Sequence, residues 1–243
     1  RPEAELFAEI AAAAERYPGT RRIFLADGDV MALGFDRLKP ILEALNAAFP
    51  HLARVNSYAN GSSIAQYDDS ELAALKSLRL QTLYLGLETG MQTLLDRVGK
   101  TEQITQMVES VRRTQTAGMR ASVMVLLGLG GREFSREHAV RTAETLNRMQ
   151  PRLLSALRFV PVLGEPFEGF RLLSEAGVVA ELLALVESLE LEHTVFRANH
   201  TSNPLPLEAR FPADKARLTA ELRHVFTSGM LDETGPGFLP AEL

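Results

Sequence analysis

The feature that most constrains this chain is the spacing of its apolar runs. Six stretches of strand length recur: residues 21–26 (RRIFLA), 53–58, 82–88 (TLYLGLE), 121–127 (ASVMVLL), 154–160 and 193–197. Between them lie segments with apolar residues at helical spacing, as with Leu38, Ile41, Leu42 and Leu45. The repeat is about 30 residues long, the length of a strand–helix unit. Strands written as near-continuous apolar runs are those covered on both faces, as in parallel sheets.

The helical segments read as 2–16, 35–49, a short one after Asp69-Ser70, 91–98, 104–117, 135–149, 178–189 and 213–226. Pro2 suits a first helical turn, Pro50 and Gly118 stop helices, and Ser135 reads as a cap with acids after it. The expected fold class is α/β, a partial (βα)6 TIM-like barrel with parallel strands. No G-x-G-x-x-G follows the first strand, which argues against a dinucleotide-binding sheet. Residues 1–210 are expected to form the partial barrel, and 211–243 a C-terminal helix and irregular tail. The chain opens on a helix and on Arg1 rather than Met, so the first strand is expected to precede it.

Several classes of function are disfavoured at once. The 243 residues contain no cysteine, which excludes disulfides and thiolate metal sites within them. The formal net charge is -5 and no basic block stands out, so a nucleic-acid footprint is not indicated. No apolar stretch approaches membrane-spanning length, and residues 1–20 carry acids throughout, unlike a signal peptide. A cytoplasmic protein without a membrane partner is expected.

In βα barrels, ligands meet the C-terminal ends of the strands. Polar or glycine-rich sets follow all six expected strands: Asp27-Gly28-Asp29; Asn56, Ser57, Tyr58 and Asn60-Gly61; residues 86–90 (GLETG); residues 128–133 (GLGGRE); residues 161–166 (PVLGEP); and residues 197–203 (RANHTSN). Each alone has a plain structural explanation. Asp-Gly is a common turn pair. Glu88-Thr89 can cap a helix, the glycines after residue 127 can serve a close strand–helix crossing, His200 can be structural, and Arg197 can pair with a surface acid. Six sets in a row argue for a ligand site.

In order, RRIFLADGDVMAL, RVNSYANGSSI, LQTLYLGLETGMQTLLDRVGK, ASVMVLLGLGGRE, RFVPVLGEPF and FRANHTSNPLPL resemble the radical S-adenosylmethionine (SAM) superfamily, nearest its elongator-type and methylthiotransferase-type branch. The resemblance spans roughly residues 1–210. It implies that Asp27, Gly28 and Asp29 hold the SAM amino group. It implies that Glu88, with Ser57 and Tyr58 on the preceding strand, approaches the ribose and carboxylate. Residues 125–128, including Leu127 and Gly128, would pack the adenine with Val160, Pro161 and Val162. It also implies a [4Fe–4S] cluster, held by a Cys-x3-Cys-x2-Cys loop that this chain lacks and that is expected upstream. An electron donor such as flavodoxin or ferredoxin would reduce the cluster. The resulting 5′-deoxyadenosyl radical would abstract hydrogen from a small-molecule or other substrate. Arg197, Asn199, His200 and Asn203 are the candidates for the substrate side, since guanidinium, amide and imidazole suit an anionic or heteroaromatic group.

Two other classes stay open on the residues alone. A divalent-metal barrel lyase or hydrolase would use Asp27, Asp29, Glu88 and His200 as ligands. A relative without the cluster would bind SAM and not cleave it.

Overall fold

The computed structural model describes residues 2–26, 28–161 and 166–239. Asp27 and Val162 therefore lie outside the described residues. Contacts divide the chain into two compact units, Arg1–Leu85 with Glu109–Ala121, and Gly86–Val108 with Ser122–Leu243. Helix α6 (Ile104–Thr116) and strand β3 (Leu80–Glu88) each run across that division.

The first unit opens with α1 (Glu3–Arg16), whose N-cap is Pro2 in extended conformation. Strand β1 (Arg22–Leu25) and a 3-10 turn (Val30–Leu33) follow, then α2 (Phe35–Ala48) and β2 (Arg54–Tyr58). The short α3 (Gly61–Ile64) and α4 (Asp69–Ser77) lead into β3. Strands β1, β2 and β3 pair in parallel in chain order, with Phe24 opposite Asn56 and Tyr58 opposite Tyr84. Helix α2 buries Leu38, Ile41, Leu42 and Leu45, the stripe that its sequence spacing predicts. Helix α4 starts in a capping box. Asp68 Oδ1 accepts from the Glu71 amide at 2.8 Å, and Glu71 Oε2 accepts from the Asp68 amide at 2.8 Å.

In the second unit α5 (Gln92–Arg97) follows β3. Strand β4 (Arg120–Leu127), α7 (Gly131–Met149), β5 (Leu153–Arg158), α8 (Glu175–Ser188) and β6 (Thr194–Ala198) continue the alternation. Strand β5 pairs in parallel with both β4 and β6. Gly90 donates its amide to Thr142 Oγ1 at 2.9 Å, and a Cβ there would collide with the Arg141 carbonyl and Thr142 Cα. Only glycine lets this segment lie against α7.

Three details differ from the sequence reading. Strand β7 (Leu207–Phe211) was not expected; it pairs antiparallel to β6 and alternates Leu207, Ala209 and Phe211 inward with Glu208 and Arg210 outward. Helix α9 (Lys215–Thr227) follows it. Helix α7 begins four residues before the expected cap at Ser135, because the turn at Gly128 hydrogen-bonds directly into the helix. The Ser135 hydroxyl donates instead to Glu181 Oε2 at 2.6 Å. The fold class is nonetheless the expected one, α/β with mainly parallel strands.

Candidate functional site

In the second unit the strand end at residues 86–88 is the most distinctive. Glu88 is a non-glycine residue with φ of 62°, and the Thr89 amide donates back to the Leu87 carbonyl at 2.7 Å. This is a tight turn of positive φ around a charged residue, a conformation that costs on the order of 1–3 kcal/mol. It holds the carboxylate back along the strand toward Gly86. A Cβ at Gly86 would land on that carboxylate, so any larger residue there must push the Glu88 side chain aside.

The counter-ion is Lys100. Its Nζ lies 3.0 Å from Glu88 Oε1 and also donates to the Gly86 carbonyl. Both side chains are about a quarter exposed, at 22% and 25%. The ion pair is thus shielded from full screening and still reachable by solvent. Lys100 was not singled out from the sequence, although it ends the quoted stretch LQTLYLGLETGMQTLLDRVGK. Its signal was the positive residue 12 positions after a strand-end acid, a spacing that no single element fixes.

The β4 end is anchored from below. The Gly128 amide donates to Glu181 Oε1 at 2.6 Å, and His138 Nδ1 lies 2.9 Å from the same oxygen. Ser135 donates to Oε2. Glu181 and His138 are each 2% exposed. The Gly128 N–H is therefore already engaged, the Leu127 and Gly128 carbonyls accept from the Phe159 and Gly131 amides, and both residues are buried. Val160 and Pro161 lie half-buried beyond the β5 end.

The four substrate-side candidates separate. Arg197 Nε lies 3.6 Å from Glu208 Oε1, and Asn199 donates to the same oxygen at 2.7 Å. They share one exposed acid on β7 that the sequence reading passed over. His200 Nδ1 accepts from the Ser202 amide at 3.2 Å and contacts Ser202 Oγ at 2.9 Å. Asn203 turns inward, donating to the Ala156 carbonyl at 2.8 Å while its Oδ1 is buried without a partner.

In the first unit, Gly28 adopts φ of 59°. Asp29 Oδ2 accepts from Ser63 at 2.5 Å, and its Oδ1 is buried without a hydrogen-bond partner. Ser57 is fully buried and its hydroxyl donates to the Leu25 and Tyr58 carbonyls. Tyr58, 42% exposed, packs edge-on against Phe24 at 4.9 Å between centroids and lies 6.2 Å from Tyr84. Behind Asp29, Tyr67 donates to the Met31 carbonyl at 2.8 Å. Burial, with Asp29 and Glu71 nearby, pushes its hydroxyl from 10.0 to about 12.

Residues 1–146, more than half of the chain, match the radical SAM superfamily. The chain belongs to this family. Among curated proteins, it is similar to the heme chaperone HemW of Bacillus subtilis (strain 168), 23% identical over 132 residues, which is 54% of this chain and 35% of HemW. Among solved structures it resembles coproporphyrinogen III oxidase (HemN) from Escherichia coli, a radical SAM enzyme, with TM-score 0.62 and 13% identity over 76% of this chain and 44% of HemN. It also resembles the archaeal Methanocaldococcus infernus Elp3, with TM-score 0.58 and 10% identity over 90% of this chain and 59% of Elp3. The chain thus spans about a third to three-fifths of the length of these relatives. The structural likenesses establish the fold, the radical SAM partial barrel.

Radical SAM proteins use SAM and a [4Fe–4S] cluster. The two fit this chain differently. A zwitterionic amino acid group needs acceptors and a donor close together, and Glu88, the Gly86 carbonyl and Lys100 supply them. The cluster needs thiolates, and these 243 residues have none. Among the described residues, no three His, Asp or Glu side chains gather as a metal site either. That leaves the divalent-metal reading without a ligand set among them. Among the described residues no helix is long and apolar enough to cross a membrane.

Proposed function

We propose that this chain is the SAM-binding part of a radical SAM enzyme, and that SAM is held at the end of β3 by Glu88 and Lys100. The observation that carries the reading is the strained turn at Glu88 with its lysine partner. A fold keeps a charged residue at positive φ where the surroundings fix it, and such strain clusters at binding sites. On this reading the Glu88 carboxylate and Gly86 carbonyl accept from the SAM ammonium, while Lys100 turns from Glu88 to the SAM carboxylate.

Within the first unit, Asp29 and Gly28, with Asp27, are proposed as acceptors for a cationic group. The unpartnered Oδ1 of Asp29 supports this. In the second unit Leu127, Gly128, Val160, Pro161 and Val162 are proposed as the apolar seat of SAM, and in the first unit Tyr58 is proposed, by itself, as an aromatic binding surface. Arg197, Asn199, His200 and Asn203 remain the proposal for the substrate side, although the first two are engaged with Glu208. The elongator-like branch is also a proposal, supported by the fold shared with Elp3. The cluster would need thiolates from outside these residues, and a reductant to feed it.

Thermal unfolding with added ligand tests the assignment. SAM should raise the melting temperature, while Mg²⁺ or Mn²⁺ alone should not. Stabilisation by metal and not by SAM would overturn it in favour of the metal-dependent reading.

A further inference from the structure

Arg158 closes β5 and is 3% exposed, on the strand face that also buries Leu154 and Ala156. Its Nε and Nη1 have no hydrogen-bond partner. Its Nη2 reaches the Leu173 carbonyl at 3.5 Å, the edge of hydrogen-bond range. A guanidinium cannot shed its charge to suit an apolar site, so an interior arginine is normally paired.

Helix α8 carries three acids, Glu175, Glu181 and Glu187, and none of them hydrogen-bonds Arg158. Glu175 lies close enough to act on Arg158 through space, but its Oε2 accepts from the Asp232 amide at 2.9 Å. Glu181 is saturated by Gly128, Ser135 and His138. Glu187 holds Arg223, Nη2 to Oε1, at 2.6 Å. Among the described residues no carboxylate hydrogen-bonds this buried cation, and Glu175 acts on it only through space. Burial pulls its pKa down, and the nearby Glu175 offsets this only in part.

We propose that Arg158 receives an oxoanion, a carboxylate or phosphate group, at the C-terminal end of β5 beside the entry to α8. Planar guanidinium donors match the planar oxygens of a carboxylate or the face of a phosphate. The anion has two sources to distinguish, a free phosphate-type ion or the carboxylate of SAM, which Arg158 would then share with Lys100. The phosphate case stands independently of the SAM assignment above.

The test is thermal unfolding of the wild-type chain, Arg158→Met and Arg158→Lys in chloride, in phosphate at matched ionic strength, and with SAM. In chloride, Arg158→Met should melt no lower than wild type, because it removes an unpaired buried charge. Phosphate or SAM should raise the wild-type melting temperature by about 3 °C more than that of Arg158→Met. A response to phosphate assigns a separate anion site, and a response to SAM alone assigns the cofactor's carboxylate. Equal responses of wild type and Arg158→Met to both ligands would overturn the proposal. If Arg158→Met does not fold, calorimetric titration of wild type and Arg158→Lys with phosphate and with SAM decides. One site weakened about tenfold by lysine supports the proposal, and no binding of either, or unchanged affinity, overturns it.

Discussion

Lys100 Nζ stands 3.0 Å from Glu88 Oε1, joining the end of β3 to the segment after α5. The pair closes a loop of 12 residues and fixes the Glu88 side chain over Gly86. Because it is only partly exposed, salt screens it less than a pair at the open surface.

Gly86→Ala tests the close approach beneath that pair. The added methyl must displace the Glu88 carboxylate or the Lys100 ammonium, 3.2 Å away. Denaturant unfolding is expected to show a loss of about 1–3 kcal/mol. SAM affinity should fall as well, since the displaced groups are the proposed ligands. An alanine variant as stable as wild type would mean that the turn relaxes freely.

Glu181→Ala should be among the most damaging changes in the second unit. It strands the Gly128 amide, the Ser135 hydroxyl and buried His138 together, whose Nε2 already lacks a partner. A loss of about 3–5 kcal/mol in urea unfolding is expected. A loss below 1 kcal/mol would show that the network contributes little to holding the β4 end.

Asp68→Ala removes one half of the α4 capping box. About 1 kcal/mol should be lost, or roughly 2–4 °C in melting temperature. Glu71→Ala should cost less, because Asp68 keeps its bond to the residue 71 amide. Equal and large losses from both would point to a packing role instead.

Tyr67 makes the first unit sensitive to alkali. Its hydroxyl titrates near 12 in the fold against 10.0 otherwise, chiefly because it is buried. The stability tied to it is complete below the unfolded value and is lost as pH climbs through the folded one. Urea midpoints should therefore fall between about pH 10 and 12, with less slope in Tyr67→Phe. Tyrosinate absorbance that appears near 10 for all four tyrosines would contradict this assignment.

Much of the architecture was legible in the sequence, and the reason is local. Runs such as residues 121–127 carry enough apolar side chains to be strands whatever surrounds them, and the α2 stripe defines its own buried face. Strand β7 escaped notice although Leu-Glu-Ala-Arg-Phe alternates strictly, because the run is only five residues long and becomes a strand by pairing with β6. The site was less legible for the same reason. Glu88 stood out by its place after a strand, but its strained φ and its lysine arise only from tertiary contacts. Ser135 looked like a helix cap and Ser57 like a ligand, yet both hydroxyls serve buried acceptors. Local pattern could not reveal Glu181 and the Leu25 carbonyl, which lie 46 and 32 residues away, although the Ser57 hydroxyl also reaches the adjacent Tyr58 carbonyl.

The most direct test of the account is calorimetric titration of SAM into the wild-type chain, Lys100→Met and Glu88→Gln. The account predicts one SAM per wild-type chain and affinity weakened at least about tenfold in each variant, the worth of a charge-assisted hydrogen bond. No binding by the wild-type chain, or variants that bind SAM as tightly as it does, would contradict the placement of the cofactor at Glu88 and Lys100.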